Sequence, residues 1–290
     1  MPALHRHAWR DRFPGAEERR LGKAMHTSKR HLAGVAAVAV AMASVGALAL
    51  PWSADKGASA PHWAYSGEAG PAHWAALDPS YSACGIGLAQ SPIDLESHDA
   101  KPGKAGAFRI DYEKGDVALV NNGHTVQANV TDPNDAVVYD GDTYHLAQFH
   151  FHSPSEHTTD KTRFPLEIHF VNQDGAKHIL VVGVMVKLGE ENPSLAPVFH
   201  SLPPAAGHAS ASAGPPVSVD LASVLPKNHE AYVYRGSLTT PPCTEGVRWI
   251  VLAHPIQMSQ AQVASFSTLF PDNHRPLQNV NGREIDDDPD

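Results

Sequence analysis

The sequence contains few cysteines and few basic residues for its length. Only 2 cysteines occur in 290 residues, which excludes a disulfide-dense scaffold and a four-thiolate zinc site. Charged residues make up 18% and hydrophobic residues 42%, so the composition is that of a folded chain rather than a disordered one. Lysine and arginine (22) are outnumbered by aspartate and glutamate (31), giving a formal net charge of −9. Because a broad nucleic-acid-binding face needs clustered basic side chains, we expect no nucleic-acid partner.

Long hydrophobic runs are also scarce, with one exception near the N-terminus. Residues 32–50 carry no charge, follow Lys29 and Arg30, and precede a small-residue stretch that ends at Ala60. A basic region, an apolar region and a small-x-small site are typical of a secretory signal. We expect cleavage near Ala60, with residues 47–49 as a second candidate site. The competing interpretation is an uncleaved membrane anchor, since this run is just long enough to span a bilayer.

The first residue of this leader and its export pathway each have more than one interpretation. Met25 is a possible true start, and Arg19-Arg20 is compatible with a twin-arginine signal. Residues 1–60 hold 9 basic and 4 acidic residues, whereas residues 61–290 hold 13 and 27. The sequence therefore predicts a leader over 1–60 and one acidic domain over 61–290. We expect it to be periplasmic or secreted, with no stable membrane association after leader cleavage.

Export would permit a disulfide, because extracytoplasmic compartments are oxidising. Cys84 and Cys243 are accordingly expected to be paired, and the alternative is two buried free thiols.

Residues 61–290 have the pattern of a mostly β (α+β) domain. Eight short runs alternate or are β-branched, and turn signals such as Asn122-Gly123 and Asp174-Gly175 separate them. Helical patterns are few, and Ser259 with Gln262 forms a candidate capping box. Close strand spacing with few helices predicts a large, mostly antiparallel sheet. The predicted strands are 117–120, 125–130, 136–139, 144–152, 166–172, 178–187, 231–235 and 248–253; the predicted helices are 194–202, 221–225 and 259–269; residues 203–216 are predicted to be a solvated loop.

Histidine, by contrast, is abundant, and 3 of the 19 histidines are spaced for a metal site. Side chains alternate along a strand, so Gln148, His150 and His152 share one face, and Glu167 and His169 share a face of the next strand. Three neutral imidazoles suit Zn²⁺ and leave a fourth position for water, which is the catalytic arrangement. Gln148 and Glu167 can accept hydrogen bonds from the other ring nitrogens. The plainer alternative is an ordinary pair of strand histidines.

A second metal pattern is also present. His150-x-His152 followed by Glu156 resembles the first metal motif of cupins, which bind iron or manganese. However, Arg163 stands where the cupin glycine belongs, and no later Pro-x-Gly-x-x-His pattern follows. The cupin interpretation is therefore the weaker one.

Seven separated motifs, in the same order, resemble those of α-class carbonic anhydrases, in particular the bacterial exported branch. The resemblance covers about residues 62 to 285. It implies a central ten-stranded, mostly antiparallel sheet with short peripheral helices, and one Zn²⁺ per chain. The implied reaction is reversible hydration of CO₂ to bicarbonate and a proton by attack of zinc-bound hydroxide. The motifs are Gln148-Phe149-His150-Phe151-His152, Ser155-Glu156-His157-Thr158, Glu167-Ile168-His169, Ser237-Leu238-Thr239-Thr240-Pro241-Pro242, Gln90-Ser91-Pro92-Ile93-Asp94, Asn121-Asn122-Gly123-His124 and Asn273-His274-Arg275-Pro276.

The resemblance also implies roles for individual residues. Thr239 and Glu156 would orient the attacking hydroxide, and His124 would carry the proton away, since histidine titrates near neutral pH. His62 is a candidate for the cavity rim, and His157 for a buried hydrogen-bonded residue rather than a fourth ligand. The other implied residues are Asn273 as a partner of the metal ligands, Tyr65 and Asn122 on the proton-path waters, and Val171, Val181, Leu238, Val247, Trp249 and Thr240 lining the CO₂ pocket.

Further expectations follow from the same family. They are cis peptides before Pro92 and Pro242, binding of sulfonamide and anion inhibitors, and a possible homodimer. The alternative function is a catalytically inactive, carbonic-anhydrase-like binding or storage protein. Loss of a ligand histidine, of Thr239 or of Glu156 would favour that alternative, and all of these residues are present.

Overall fold

The computed structural model describes residues 62–204, 211–212 and 214–290. The predicted leader, with its cleavage site, anchor and start alternatives, lies outside these residues. Within the described part of the chain, no helix is long and apolar enough to cross a membrane.

Strands dominate the described residues, and the helices are short. The strands are β1 Asp94–Leu95, β2 Lys101–Pro102, β3 Phe108–Asp111, β4 Lys114–Asn121, β5 Val126–Val130, β6 Ala136–Tyr139, β7 Asp142–His152, β8 Thr158–Thr159, β9 Leu166–Gln173, β10 Ile179–Leu188, β11 Ala211–Ser212, β12 Val217–Asp220, β13 Ala231–Ser237, β14 Glu245–Met258 and β15 Ile285–Asp288. The helices are α1 Trp74–Leu77, α2 Ala83–Ile86, α3 Ala196–His200, α4 Leu221–Val224 and α5 Gln260–Leu269, with 3-10 turns at Gly67–Ala69 and Pro79–Tyr81.

One large sheet organises the fold. Ten of the described strands follow one another in the order β11-β4-β5-β7-β9-β10-β14-β13-β15-β2. Strands β12, β3 and β6 pair with members of this path or with each other, so the sheet has 13 described strands. Most pairings are antiparallel, but β10 with β14 and β15 with β2 are parallel. The predicted mostly β fold is confirmed, and the sheet is mixed rather than purely antiparallel.

The two faces of the sheet bury different sets of side chains. One face carries the larger core, which includes Phe149, Phe151 and Phe170, all fully buried. Helix α5 covers part of this face, with the Phe266 ring centroid 5.6 Å from that of Phe151. The opposite face holds a smaller apolar cluster around Trp249. Because side chains alternate along each strand, the same strands serve both faces.

Local signals predicted several element ends and missed others. The α5 capping box is present, because the Ser259 side chain accepts from Gln262 N–H and the Gln262 side chain accepts from Ser259 N–H.

The prediction of a solvated loop over 203–216 is wrong in part. Residues 211–212 extend the sheet by pairing with Asn121 and Val120 of β4, because this strand leaves an edge that a short extended segment can join.

Candidate metal centre and active site

The three predicted metal ligands lie together on β7 and β9. His150 is directly opposite His169 in the antiparallel register. The ring nitrogens that face one another on His150, His152 and His169 all lie within 4.8 Å of each other. The register of β7 shifts between Leu146 and Gln148. This irregularity interrupts the alternation of side chains between the two sheet faces. Leu146 therefore packs in the larger core, whereas Gln148, two residues later, lies on the face of the histidines.

Each of the three imidazoles has one nitrogen engaged in a hydrogen bond. His150 Nδ1 donates to Gln148 Oε1 at 2.8 Å, and His152 Nδ1 donates to the Asn273 carbonyl oxygen at 2.7 Å. His169 is turned the other way, since its Nε2 donates to Glu167 Oε1 at 2.9 Å. These contacts fix the tautomers, leaving Nε2 of the first two residues and Nδ1 of His169 as lone-pair donors.

Burial keeps these imidazoles neutral at physiological pH. It lowers the pKa of His152 to about 4 and holds the pKa of His150 well below its usual range, with the neighbouring imidazoles contributing to the latter shift. Desolvation lowers the pKa of His169 too, against the opposing effect of Glu167. A neutral imidazole is the form that binds metal, so no proton has to leave first.

The donor set fits a zinc ion. His152 Nε2 is fully buried and has no hydrogen-bond partner among the described residues. A buried polar atom without a partner costs free energy, and a bound cation would remove that cost. Three neutral nitrogen donors with convergent lone pairs suit a tetrahedral Zn²⁺ that keeps one open position.

Glu167 connects the metal centre to the protein interior. Its Oε2 accepts the backbone N–H groups of Glu156 and His157, both at 2.8 Å, and its Oε1 also accepts from His157 Nδ1 at 2.7 Å. Burial opposes ionisation, but His157 and His169 outweigh it and hold the pKa of Glu167 well below its usual range. His157 Nε2 in turn lies 2.6 Å from the Tyr234 hydroxyl. His157 is therefore a buried structural residue, as expected.

Glu156 and Thr239 meet beside the free ring nitrogens. Glu156 is fully buried, and its Oε1 accepts the Arg275 N–H at 2.7 Å. Its Oε2 lies 3.6 Å from His152 Nε2 and 3.9 Å from His169 Nδ1. Burial raises the pKa of Glu156, while His169 and the nearby Thr239 side chain act to lower it. Among the described residues, the second carboxylate oxygen has no hydrogen-bond partner of standard geometry, and the nearby Thr239 hydroxyl is the donor closest in effect to this carboxylate.

The loop that carries Thr239 is held at several points. Cys84 and Cys243 form a disulfide whose Cα atoms are 5.0 Å apart. Leu238 N–H donates to the Thr244 carbonyl oxygen at 3.0 Å, and Cys243 N–H donates to that of Thr240 at 2.8 Å. The predicted pairing is thus present, and it ties α2 to this loop.

An apolar row lies next to the histidines on the same sheet face. Val171 of β9 is opposite Val181 of β10, which is opposite Trp249 of β14. Val247 belongs to the same cluster, and Leu238 packs against it. The Trp249 ring centroid is 4.8 Å from that of His169. Thr240, also predicted for this pocket, is half-buried in the Thr239 loop.

His124 is half-buried in the turn between β4 and β5. Its ring stacks on Trp63, with centroids 3.7 Å apart and planes 8° from parallel. The rings of His62 and Tyr65 lie 6.4 Å and 6.5 Å from it. Desolvation, together with the charge of Glu156, raises the pKa of Tyr65 well above its usual range. The Asn122 side chain shapes the turn by accepting the His124 N–H at 3.0 Å.

Sequence reasoning missed the contributions of two residues that support the site. Arg275 is fully buried, and its guanidinium donates to Gln90 Oε1 and the carbonyl oxygens of Ser91 and Cys84 at 2.8–3.1 Å. The only sequence signal for Arg275 was its place in the motif at residues 273–276. Gly183 lies opposite His169, and a Cβ there would come within 3.1 Å of Glu167 Oε1.

Three X-Pro bonds are cis in the part of the chain that the structure describes. Those before Pro92 and Pro242 were expected from the family resemblance, and the one before Pro154 was not.

Comparisons with known proteins agree with this geometry. A model of the eukaryotic-type carbonic anhydrase family matches residues 69–288. A carbonic anhydrase of Pectobacterium carotovorum is 40% identical over 212 residues, which cover 72% of this chain and 84% of that protein. One from Nostoc sp. is 38% identical over 212 residues, covering 72% and 79%.

Among solved structures, the alpha-carbonic anhydrase from Thermovibrio ammonificans in complex with the inhibitor sulfanilamide superposes with a TM-score of 0.73 at 42% identity. The match covers 78% of this chain and 99% of that one. These matches confirm the family inferred from the motifs and leave the cupin interpretation without support. The chain belongs to the eukaryotic-type, or α-class, carbonic anhydrase family.

Proposed function

We propose that this protein catalyses the reversible hydration of CO₂, in which CO₂ and water give bicarbonate and a proton, with Zn²⁺ held by His150, His152 and His169. One observation carries the proposal. Three unprotonated ring nitrogens converge beside the Thr239–Glu156 pair and next to an apolar row. When bound, zinc would lower the pKa of a coordinated water to about 7, a figure for which carbonic anhydrase itself is the reference case.

Thr239 and Glu156 orient the nucleophile. The Glu156 carboxylate, whose Oε1 is fixed by the Arg275 N–H, accepts a hydrogen bond that the Thr239 hydroxyl donates. The Thr239 oxygen is then left as an acceptor, so it directs a lone pair of the attacking water oxygen towards CO₂. Such preorientation lowers the barrier because the correct geometry is present before reaction.

The apolar row accommodates CO₂. Val171, Val181 and Trp249 offer neither donors nor charge towards the substrate, since the Trp249 Nε1–H is taken up by the Ser237 carbonyl oxygen at 3.0 Å. A nonpolar molecule gains by displacing water from such a surface, whereas charged bicarbonate does not. The row therefore favours release of the product.

The proton produced by hydration leaves by way of His124. A His124 ring nitrogen accepts it by way of water molecules, which Tyr65 and Asn122 help to order, and passes it to buffer. The imidazole is suited to this because its ordinary pKa lies near neutrality. Hydration and proton removal are thus separate steps served by different residues.

Stopped-flow CO₂ hydration tests the proposal. The protein as isolated should accelerate hydration, lose that activity after dialysis against a chelator, and regain it when one equivalent of Zn²⁺ is added. If the zinc-loaded protein were no faster than buffer, the inactive binding or storage protein would be the better account. That alternative is not favoured, because every ligand and both orienting residues are present and assembled.

Sulfonamide binding is proposed on the strength of the relative that is complexed with sulfanilamide. We expect sulfanilamide, and simple anions such as azide, to inhibit by binding at the site that His150, His152 and His169 would form with zinc. Competition between the two in the hydration assay would test a shared site. The possible homodimer stays a prediction, which sedimentation velocity would test.

Export to the periplasm or medium is also proposed, with residues 1–60 as the removed leader. The leader pattern and the Cys84–Cys243 disulfide both support it, because disulfides persist in oxidising compartments. Expression in a Gram-negative host, fractionation and intact mass would test it. A cytoplasmic protein that retains residues 1–60 would contradict the proposal.

A further inference from the structure

We propose that the Asn273 side chain is a positioning residue for the proton shuttle, because it fastens the turn that carries His124 to the end of the metal-binding strand. This inference rests on the proposed function. It goes beyond a contact with a metal ligand, since it concerns the Asn273 side chain and the proton-transfer step.

Asn273 has every polar group of its side-chain amide engaged. The residue is buried, with 2% of its surface exposed. Its Nδ2 donates to the carbonyl oxygens of His124 and Phe151, both at 3.0 Å. Its Oδ1 accepts the Ser153 N–H at 2.7 Å. The contact with His152 is made by the backbone carbonyl instead, so the side chain and the main chain of Asn273 serve different partners.

The turn that carries His124 needs a contact that fixes its position relative to β7. It contains Gly123 with a φ of +89°, and inside the turn the Asn122 side chain accepts the N–H groups of His124 and Thr125. These contacts set the shape of the turn but not its place relative to the metal-binding strand. The end of the turn that leads into β5 is linked to that strand by the pairing of β5 with β7 and by the Thr125 hydroxyl, which donates to the Phe151 carbonyl oxygen at 2.6 Å. Asn273 adds a link directly at His124.

The His124 ring is held separately, by its stack on Trp63. The backbone and the ring of His124 are thus positioned by two separate parts of the chain. Proton transfer through ordered water depends steeply on geometry, and a displacement of 1 Å can cost a factor of about 100. Loosening the backbone should therefore slow the proton step more than the attack on CO₂.

Asn273→Asp tests this with little change in volume. The remaining Oδ1 can still accept the Ser153 N–H, but both bonds donated by Nδ2 are lost. A carboxylate oxygen then faces the carbonyl oxygens of His124 and Phe151, which repels the turn.

Asn172→Asp is the matched control. Asn172 is buried on the other sheet face, where its Nδ2 donates to the Phe170 carbonyl oxygen at 3.0 Å and its Oδ1 accepts from the Tyr112 hydroxyl at 2.9 Å. The same chemical change there disturbs the core without touching the His124 turn.

Steady-state hydration in weak buffer separates the two steps, because kcat then reports proton transfer and kcat/KM reports hydration. For zinc-loaded Asn273→Asp we expect kcat to fall about tenfold and kcat/KM by less than about threefold, with kcat restored by added imidazole. For Asn172→Asp both constants should change by the same factor, without imidazole rescue. A parallel loss of both constants in Asn273→Asp would overturn the proposal.

A second readout is independent of turnover. Stacking on Trp63 should shift the His124 ring protons upfield in the NMR spectrum, and the His124→Ala variant identifies those signals. We expect at least half of that shift to be lost in Asn273→Asp and retained in Asn172→Asp. An unchanged shift would contradict the proposed anchoring.

A fallback variant is available if Asn273→Asp does not fold. Thr125→Val removes the hydrogen bond from the Thr125 hydroxyl to the Phe151 carbonyl oxygen, and it should lower kcat in weak buffer more than kcat/KM. An equal effect on both constants would again overturn the proposal.

Failure of this proposal can be distinguished from failure of the proposed function. A wild-type protein without hydration activity would instead refute the proposed function. An active wild type whose His124→Ala variant keeps full kcat in weak buffer would refute the shuttle, and this inference with it.

Discussion

Each of the three proposed ligand histidines has one ring nitrogen that donates a hydrogen bond to the protein, and these donor contacts determine how the site responds to substitution. The orienting acceptors of His150 and His169 are side-chain oxygens, whereas that of His152 is a backbone carbonyl oxygen. The backbone contact persists in any side-chain variant. The two side-chain contacts can be removed one at a time.

His150→Ala should abolish zinc binding and CO₂ hydration together. Two remaining imidazoles leave too few donors for a tetrahedral site, and water would have to replace the third. Metal analysis after gel filtration should give one zinc per chain for the wild type and close to none for the variant. His178→Ala is the control, because His178 is an exposed histidine that pairs with Asp174 away from the site. Full zinc retention by the His150→Ala variant would contradict the ligand assignment.

Asp135→Asn should stabilise the protein at neutral pH. Burial raises the pKa of Asp135, with the charges of Asp132 and Glu113 adding to the shift, while the bond from the Glu113 N–H lowers it. The folded state therefore binds this proton more readily than the unfolded chain, and the free energy of unfolding falls as the pH rises between the two pKa values. An asparagine carries no charge and keeps the acceptor oxygen.

Urea unfolding between pH 4 and pH 8 would check this. The gain from Asp135→Asn should be largest above the folded-state pKa and should shrink as the pH falls through it. A gain that grows towards acidic pH would contradict the sign of the shift.

Sequence patterns predicted most of the side chains that form the site, but they did not predict the contacts that support those side chains. Strand alternation alone predicted that His150 and His152 face one way and Phe149 and Phe151 the other. It did not reveal the irregularity at Leu146, because a local insertion in a strand leaves no periodic signal. Arg275 was equally hidden, since a single arginine in a loop usually faces water.

Among the elements, the loop between β13 and β14 depends most on distant parts of the chain. It presents Thr239 and is linked to α2 by the disulfide. The Gln90 side chain adds a hydrogen bond from Nε2 to the Cys243 carbonyl oxygen at 3.0 Å. The position of Thr239 is therefore set partly by residues near the start of the domain.

Replacing both cysteines by alanine should destabilise the protein. The two cysteines are 159 residues apart, and the chain-entropy model gives about 4–5 kcal/mol for closing such a loop, as an upper value. Hydration activity should fall at a temperature at which the zinc content is still complete, because the Thr239 loop loosens before the histidines separate. Urea unfolding and parallel zinc and activity assays would measure this. Equal stability of the wild type and the double variant would contradict it.

Element boundaries were predicted unevenly for a physical reason. The capping box at Ser259 is a local signal, and it predicted the start of α5 correctly. Strand β14 extends over Glu245–Met258, well beyond the predicted 248–253. Its ends are extended by pairing with β10 and β13 rather than by their own sequence. The partial strand within 203–216 has the same cause.

At the scale of the whole molecule, Arg275 joins segments that are far apart in the sequence. Its guanidinium lies between Gln90, Ser91 and the Cys84 carbonyl oxygen, and 5.7 Å from the centroid of the Trp74 ring. Burial lowers its pKa to about 10, so it remains charged at neutral pH. A buried cation with matched acceptors stabilises one arrangement of these segments over others.

Arg275→Met should therefore cost about 3 kcal/mol, because two buried acceptors and one part-buried acceptor lose a charged donor. Its backbone N–H, and with it the bond to Glu156, stays in place. Arg275→Lys should recover part of the loss, since it restores the charge but not the planar fork. Urea denaturation of the three proteins would rank them. A methionine variant as stable as the wild type would refute the structural role of the guanidinium.

The bond from His152 to Asn273 spans 121 residues, and that from Gln90 to Arg275 spans 185. Chains are synthesised from the N-terminus, so the strands that carry the histidines emerge well before the segment that completes their surroundings. Contacts over such separations form slowly, because a long loop must close before they contribute. We therefore expect the proposed catalytic centre to be among the last parts of the molecule to be assembled, because a chain that stops short of Asn273 lacks the carbonyl oxygen that orients the His152 ring.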